Sequence, residues 1–484
     1  MPREEELKKA REQKLKLLRD EGINPYPSFS KRTHKILEVL EKFSSFKSRK
    51  VSITGRITGI RSHGKIGFVD VRDESGKIQT YFSKSILKKQ FEVFSKKIDL
   101  GDFIEVSGKP FLTKKGEKTI QVSSFKVLTK TLRPLPETFY GFKDIEERHR
   151  KRYLDLLTNE EVSKIFKKRD EVITAIRQFL KNNGFTEVET PVLQPLYGGA
   201  LAHPFTTFHN VLNQKLYLRI APELYLKRLI IGGFERIFEI GKNFRNEGVS
   251  TVHNPEFTML ELYMAFTDYR DGMKFSEDLI LDVLKKVGKS SIVEFKGRKI
   301  KVKKPFPQVS FRDILLKFSK IDIDEFKTEK SLTKEIKKRK IKVDIPQNAK
   351  WAKIIDELFK ESTRKNLVEP IFVTEHPIEL NPLAKRKPEE PEKAERFQLY
   401  IGGLEIINGY SELNDPEEQL KRFQEQERFK DEESHKIDKD FIEALEYGMP
   451  PSTGIGLGID RVVMLLTGEE SIREVILFPA LRKK

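Results

Sequence analysis

Between Val51 and Val122 apolar side chains recur at every second position in short runs: Val51-Ser-Ile53-Thr-Gly55-Arg-Ile57, Phe68-Val-Asp-Val71, Ile78-Gln-Thr-Tyr81, Phe103-Ile-Glu-Val106 and Ile120-Gln-Val122. A period of two sends successive side chains to opposite faces of a strand, so each run can cover a core with one face only. Gly and Asp-Glu-Ser-Gly breaks between the runs supply turns. In Gly64-Lys-Ile-Gly-Phe-Val-Asp the phase sends Val69 inward and Phe68 outward.

Short strands this closely spaced, with a helical patch near 85–96, predict a small Greek-key β-barrel of the OB type; a generic barrel without a ligand would show the same alternation. Residues 3–21 mix acids and bases with Leu7, Leu15, Leu17 and Leu18 and predict an amphipathic basic helix, stopped by Gly22-Ile-Asn-Pro-Tyr-Pro27. A second short helix is expected over 33–43. Leu132-Arg-Pro-Leu-Pro136-Glu137 reads as a stiff linker. The expected division is a helical segment at 1–50, the barrel at 51–133 and a larger α/β domain at 134–484. In that last part Val162, Ile165, Phe166, Val172, Ile173, Ile176, Phe179 and Leu180 mark one face of a helix ended by Gly184, and strand-like Phe185–Thr190 runs into Pro191. The Lys-rich stretch 285–345 is helical in flavour, giving a helical insertion over about 270–345.

At 484 residues the chain exceeds one ordinary core. It has no cysteine, which removes disulfides, thiolate metal sites and cysteine nucleophiles. Its eight histidines form no H-E-x-x-H pattern, so any metal is expected to be a hard cation held by carboxylates and phosphates. The net charge of +18 fits a polyanionic partner, and equally a Lys-rich solvated surface. No apolar run reaches the length of a membrane span. The first residues lack the apolar core of a secretory signal and are too acidic for a mitochondrial presequence, so a cytoplasmic protein is expected.

Three segments of the larger domain carry chemistry. The helix–Gly184–strand–Pro191 unit alone is weak. In the second, strand-like Arg236–Ile240 leads to Phe244-Arg245-Asn-Glu247, a loop, and His253-Asn-Pro-Glu-Phe257-Thr. A guanidinium at the strand end can fork onto a phosphate and an aromatic ring on the returning strand can stack on a base; a surface hairpin with an ion pair would read alike. In the third, Gly454-Ile-Gly456-Leu-Gly458-Ile-Asp460-Arg461 runs into a helix over 462–466. The spacing G-x-G-x-G, with no βαβ unit, is not a dinucleotide fingerprint; it lets a strand pass close beneath a flat ligand. Gly288-Lys289-Ser290 is no phosphate loop, because Val283 stands where the first glycine belongs.

In this order the three segments resemble motifs 1, 2 and 3 of class II aminoacyl-tRNA synthetases, and a preceding OB barrel resembles the subgroup for aspartate, asparagine and lysine. Arg219–Arg228, Phe244–Gly248, Glu261–Met264, Asn408–Asp415 and Ala444–Pro451 are similar to the lysyl-tRNA synthetases, a likeness running from Gly22 to Pro479. It implies an α/β multidomain chain with an N-terminal OB barrel and a catalytic domain built on an antiparallel sheet flanked by helices. The implied reaction joins L-lysine to tRNA-Lys at the expense of ATP, with Mg2+, in a homodimer formed through motif 1.

The resemblance also implies roles. Arg245 and Arg461 are the catalytic arginines. For lysine, Glu261, Glu412 and Tyr263 meet the side-chain ammonium, Glu223 and the Gly198-Gly199 backbone the α-ammonium, and Arg245 and Asn408 the α-carboxylate, with Tyr410 in the same pocket. For ATP, Arg245 meets the α-phosphate, Phe257 and Arg461 sandwich the adenine near Gly458, Glu247 touches its edge and His253 the outer phosphates; for His253 a turn-capping role reads equally well. In the barrel Phe68 and Gln79, with Arg61 and Glu117, match anticodon readers. An aromatic platform stacks an unpaired base and polar side chains read its edge.

Physical reasoning supports the acidic pair: burying an ammonium costs several kcal/mol or more unless it is paired. Both acids sit in apolar contexts, Met259-Leu-Glu-Leu-Tyr-Met and Tyr410-Ser-Glu-Leu. One position departs from the family. Glu405, which also lies in the ATP site, fits the second of two magnesium-binding glutamates, but the first is Gln398, which brings no charge. The rival readings are an aspartate or asparagine ligase, which Glu261, Tyr263 and Glu412 disfavour; a protein-modifying lysine ligase, which the barrel disfavours; and a non-catalytic nucleic-acid-binding module, which the intact arginines disfavour.

Overall fold

A computed structural model describes residues 2–136, 144–200, 202–347, 349–428 and 437–482, so Glu137 of the expected linker lies outside the described residues. The chain divides into two compact units, Met1–Lys143 and Asp144–Lys484.

The first unit is built on five strands, β1 (Val51–His63), β2 (Ile66–Arg72), β3 (Lys77–Ser83), β4 (Phe103–Leu112) and β5 (Lys118–Thr129). They close as β1-β2-β3-β5-β4, with β4 returning to β1, and all pairs are antiparallel except β3 with β5. Closure leaves no free edge, and the alternating residues Val51, Ile53, Val69, Val71, Ile104, Val106, Ile120 and Val122 fill the interior. The helical patch expected near 85–96 is two short helices, Lys84–Leu87 and Gln90–Lys97, and Phe94 of the second stacks on Phe82 at 4.3 Å. The N-terminal helix Pro2–Asp20 buries Leu18 in the barrel core. Its Arg11 donates to the carbonyls of Leu100, before β4, and of Thr131 and Arg133, after β5. The second short helix spans only Ile36–Glu41.

The second unit carries an eight-stranded sheet in the order Gln308–Ser310, Ile371–Thr374, Arg396–Ile401, Leu404–Ser411, Ser452–Gly458, Glu256–Ala265, Arg236–Phe244 and Thr186–Glu187. Its six central strands pair antiparallel, and the two edge strands join parallel. Helices Glu160–Asn182, Tyr269–Lys286 and Ile459–Thr467 share one apolar core with the sheet residues Phe238, Leu260, Leu262, Phe397, Leu399, Ile407, Ile455 and Leu457. Gly184 adopts φ +79° just beyond the first helix, the left-handed conformation that ends helices there. The strand expected over 185–190 shrinks to Thr186–Glu187, because at this edge the ladder meets only Ile237 and Phe238.

The stretch expected to be a helical insertion over about 270–345 is mixed. Beside helices Tyr269–Lys286, Phe311–Ser319 and Glu329–Lys338 it folds a hairpin, Ile292–Phe295 with Arg298–Lys301. Val293, Phe295 and Ile300 of that hairpin enter the main core, so its lysines are the solvent side of an alternating pattern rather than one face of a helix.

Candidate active site

The face of the sheet opposite the helices is laid out by register. One cross-strand row runs Glu239, Glu261, Gly456, Asn408, Gln398; the next runs Ile237, Tyr263, Gly454, Tyr410, Arg396. The intervening rows point their apolar residues into the core, so polar side chains gather on one side of otherwise hydrophobic strands. The glycines form the trough between them. A Cβ on Gly454 would collide with Glu412 Oε1 and lie 2.7 Å from Tyr263 Cε1, and one on Gly456 would strike Met259. A bulge between Leu399 and Tyr400 breaks the alternation, buries both Ile406 and Ile407, and sets Glu405 opposite Tyr400. Above this floor opens a cleft of about 850 Å³. Every expected lysine- or ATP-site residue lines it: Gly199, Glu223, Arg245, Glu247, His253, Phe257, Glu261, Tyr263, Gln398, Glu405, Asn408, Tyr410, Glu412, Gly458 and Arg461.

One end of the cleft is acidic. Glu261 is 4% exposed and Glu412 is 1% exposed. The Tyr263 hydroxyl donates to Glu261 Oε1 at 2.9 Å, while Glu261 Oε2 and Glu412 Oε1 are buried without a hydrogen-bond partner. Burial, reinforced by the charge of Glu223, pushes the Glu261 carboxyl up to about 8; burial likewise raises Glu412 well above the usual carboxylate range. Glu223 Oε1 accepts from the Tyr410 hydroxyl at 2.8 Å. Behind this group stands a residue that sequence reasoning missed. Lys227, fully buried on the helix Glu223–Ile231, donates to Glu223 Oε1 at 2.6 Å and pairs with Glu412 Oε2 at 2.5 Å. Its sequence signal was the i, i+4 spacing from Glu223 within the apolar run Leu224–Ile231.

The other end is cationic. Arg245 follows directly on the strand Arg236–Phe244, and its guanidinium lies 5.1 Å from the centre of the Phe257 ring on the returning strand. Arg461, in the first turn of the helix Ile459–Thr467, donates to the Glu405 carbonyl at 2.9 Å. Arg461, Arg364, Arg396 and Arg245 overcome the burial of the Glu405 carboxyl and hold its pKa below the usual range. His253 accompanies the Ser250 hydroxyl at 2.9 Å; crowding by protein atoms, then Arg461, Arg364 and Lys360, lower its pKa to about 4, so its ring is neutral at pH 7. Arg396, unforeseen, donates to Asn408 Oδ1 at 2.7 Å, which leaves the Asn408 amide N–H groups for a ligand.

The position expected to give a second magnesium ligand does not fit one. Gln398 Oε1, the only atom of that amide able to coordinate a cation, accepts from Tyr400 at 3.0 Å and lies 2.9 Å from His376 Nε2. Its lone pairs are taken within the protein. No cluster of three or more His, Asp or Glu able to hold a metal occurs among the described residues. Of the two positions expected to bind magnesium, only Glu405 is a carboxylate, which would suit an ion held mainly by substrate phosphates.

On the barrel, Arg61 pairs across the ladder with Phe68, and Phe68 with Tyr81. Val69 is fully buried and Phe68 is not, as the alternation required. The Phe68 and Tyr81 rings lie 5.2 Å apart, and Tyr81 meets Phe111 at 6.1 Å, making an aromatic strip. Gln79 is more enclosed than a free reader would be: it donates to Glu117 at 2.9 Å and accepts from Thr119 at 3.0 Å. Arg61 pairs with Asp70 at 3.2 Å.

Comparison with known proteins gives two family matches. Residues 144–482 match the family described as tRNA synthetases class II (D, K and N), and residues 51–128 match the OB-fold nucleic acid binding domain. Among curated relatives, the lysine–tRNA ligase of Pelotomaculum thermopropionicum is 46% identical over 99% of this chain and 95% of its own length. That of Dehalococcoides mccartyi is 46% identical over 99% and 98%, and that of Methanospirillum hungatei 46% identical over 97% and 94%.

Proposed function

Because the chain belongs to the class II tRNA synthetases of the aspartate, lysine and asparagine group, we infer that it is an enzyme that activates L-lysine with ATP and transfers it to the 3′-terminal adenosine of tRNA-Lys. The observation that carries the choice of amino acid is the pair of buried carboxylates with unpartnered oxygens, Glu261 and Glu412, at one end of the cleft. A cationic side chain relieves both. A neutral or acidic one leaves those oxygens buried and unanswered, which is a strong ground for rejection. Lys227 does place a positive charge at that depth, but Glu223 and Glu412 already share it, so it offers little to an aspartate side chain.

In this reading Glu261, Tyr263 and Glu412 take the side-chain ammonium, while Glu223, Tyr410 and the Gly199 backbone surround the α-ammonium. Arg245 and Asn408 hold the α-carboxylate. Phe257 and Arg461 enclose the adenine over Gly458, with Glu247 at its edge and His253 toward the outer phosphates. No protein nucleophile takes part. A lysine carboxylate oxygen attacks the α-phosphorus, the bond from that phosphorus to the bridging oxygen breaks, and pyrophosphate leaves. Arg245 and Arg461 hold the reactants in line, and Arg245 stabilises the charge on the phosphoryl oxygens. A ribose hydroxyl of the tRNA terminus then attacks the adenylate carbonyl carbon and loses its proton, and AMP departs. Glu405 would hold Mg2+ jointly with the ATP phosphates, where the ion supplies charge neutralisation. Phe68 and its neighbours offer the barrel's stacking surface to the anticodon.

A homodimer is part of the proposal. It is supported by the apolar side chains of Val192, Leu193, Phe208, Val211 and Leu212, all exposed, that follow the first motif. A cytoplasmic location fits the translation role, and no helix among the described residues is long and apolar enough to cross a membrane. The test of the function is pyrophosphate exchange dependent on each of the twenty amino acids. Exchange with lysine is expected; exchange with aspartate and none with lysine would overturn the assignment.

A further inference from the structure

Three carboxylates meet at the acidic end of the cleft, Glu223, Glu261 and Glu412, whereas a lysine substrate brings two ammonium groups and a carboxylate that Arg245 and Asn408 answer separately. The count leaves one negative charge too many. Lys227 supplies the balance from behind. It lies outside the cleft lining, is fully buried, and bridges Glu223 Oε1 at 2.6 Å and Glu412 Oε2 at 2.5 Å. Its ammonium is further enclosed by the faces of Tyr410 at 5.7 Å and Phe441 at 5.9 Å. A further acid nearby, Glu239, is already paired with Arg219.

We propose that Lys227 is a positioning residue for substrate specificity: its ammonium cancels one of three pocket carboxylates, so that the enclosed charge matches a diamino acid, and it fixes the Glu223 and Glu412 side chains toward the cleft. A buried ammonium with two carboxylate partners keeps its charge: burial alone would disfavour it, but Glu223 and Glu412 outweigh that and raise its pKa. The role goes beyond shape, because a side chain of equal length without charge would leave three acids sharing a dry pocket. A further one of them, besides Glu261, would then hold a proton that lysine binding must expel.

This rests on the lysine reading, and the experiment separates the two. Lysine-dependent pyrophosphate exchange is measured for the unsubstituted enzyme, Lys227→Met and Lys227→Arg between pH 6 and 8.5, with proton release on lysine binding counted by calorimetry in buffers of different ionisation heat. In K227M the KM for lysine is expected to rise about tenfold or more at pH 7 with the KM for ATP within about twofold. Its lysine binding should release one more proton than the unsubstituted enzyme, and its KM should recover as pH rises. K227R, which keeps the charge, should release the unsubstituted number. Equal proton counts in K227M and the unsubstituted enzyme, or lysine and ATP KM values rising together, would overturn the role of Lys227 alone. Absence of lysine-dependent exchange in the unsubstituted enzyme would overturn the reading beneath it. Should K227M not fold, Lys227→Gln replaces it with the same expectations. Should neither fold, release of three protons by the unsubstituted enzyme overturns the proposal and release of two or fewer supports it.

Discussion

The barrel's outer face and the floor of the cleft are both β-sheet surfaces that present polar side chains by alternation, yet they treat those side chains oppositely. On the barrel, Gln79 is bonded to Glu117 and Thr119, and Arg61 to Asp70, before any ligand arrives. In the cleft, Glu261 and Glu412 are buried with oxygens that nothing in the protein satisfies. A surface whose polar groups are already paired recognises a partner by exchanging one set of bonds for another, so each contact is worth little net. A buried acid with one oxygen left unbonded carries a penalty that a matching cation removes. Selection of the amino acid and of the tRNA should therefore differ in size and in pH dependence.

The sharpest way to break this contrast is Glu412→Gln. Losing one side of a buried charge pair costs about 2–5 kcal/mol, so kcat/KM for lysine should fall on the order of a thousandfold while the KM for ATP stays nearly constant. Equal damage to both, measured by steady-state exchange, would remove the acidic end from lysine recognition. Arg245→Ala should slow exchange ~100–1000-fold through lost stabilisation of the phosphoryl oxygens, as measured at saturating lysine and ATP.

A third outcome is a pH dependence that the barrel lacks. The Glu261 carboxyl keeps its proton up to about pH 8 in the folded, ligand-free protein, against 4.5 for an unhindered glutamate. Between those values the folded state binds more protons than the unfolded chain, so stability should decline as pH rises from about 4.5 to 8. Lysine needs the ionised acid, so its affinity should increase up to about tenfold per pH unit over the upper part of that window and level off above it. Thermal unfolding with and without lysine across pH 5–9 checks both signs. On the barrel, Phe68→Ala should reduce tRNA charging by about 1–3 kcal/mol of stacking, roughly 5–150-fold, and leave exchange untouched. Unchanged charging would strip the aromatic strip of a role in tRNA recognition.

Much of this contrast was legible in the sequence, because it rests on a period of two. Val69 and Val71 against Phe68 gave the barrel its inside and outside, and Gly454, Gly456 and Gly458 announced a strand meant to be bare on one side. What stayed hidden depended on depth rather than pattern. A lysine after Leu226 reads as a solvent-facing helix residue, and only the tertiary fold reveals that Lys227 is enclosed and shared by two acids. Arg396 and His376 act on Asn408 and Gln398 through pairings across strands that no local window contains. The hairpin at Ile292–Lys301 was masked by its lysines, although Lys296-Gly297 between alternating residues marked its turn.

The bare strand Ser452–Gly458 has a consequence for how such a protein can change over time. On its helix-packed side Ile455 and Leu457 can be traded for other apolar residues of similar volume at modest cost. On the opposite side any added carbon at Gly454 displaces Glu412 or Tyr263. Neutral drift in this strand is therefore freer at Ile455 and Leu457 than at Gly454, and a route to a new amino-acid substrate runs more readily through the neighbouring strands, whose side chains shape the cavity that the glycines leave open.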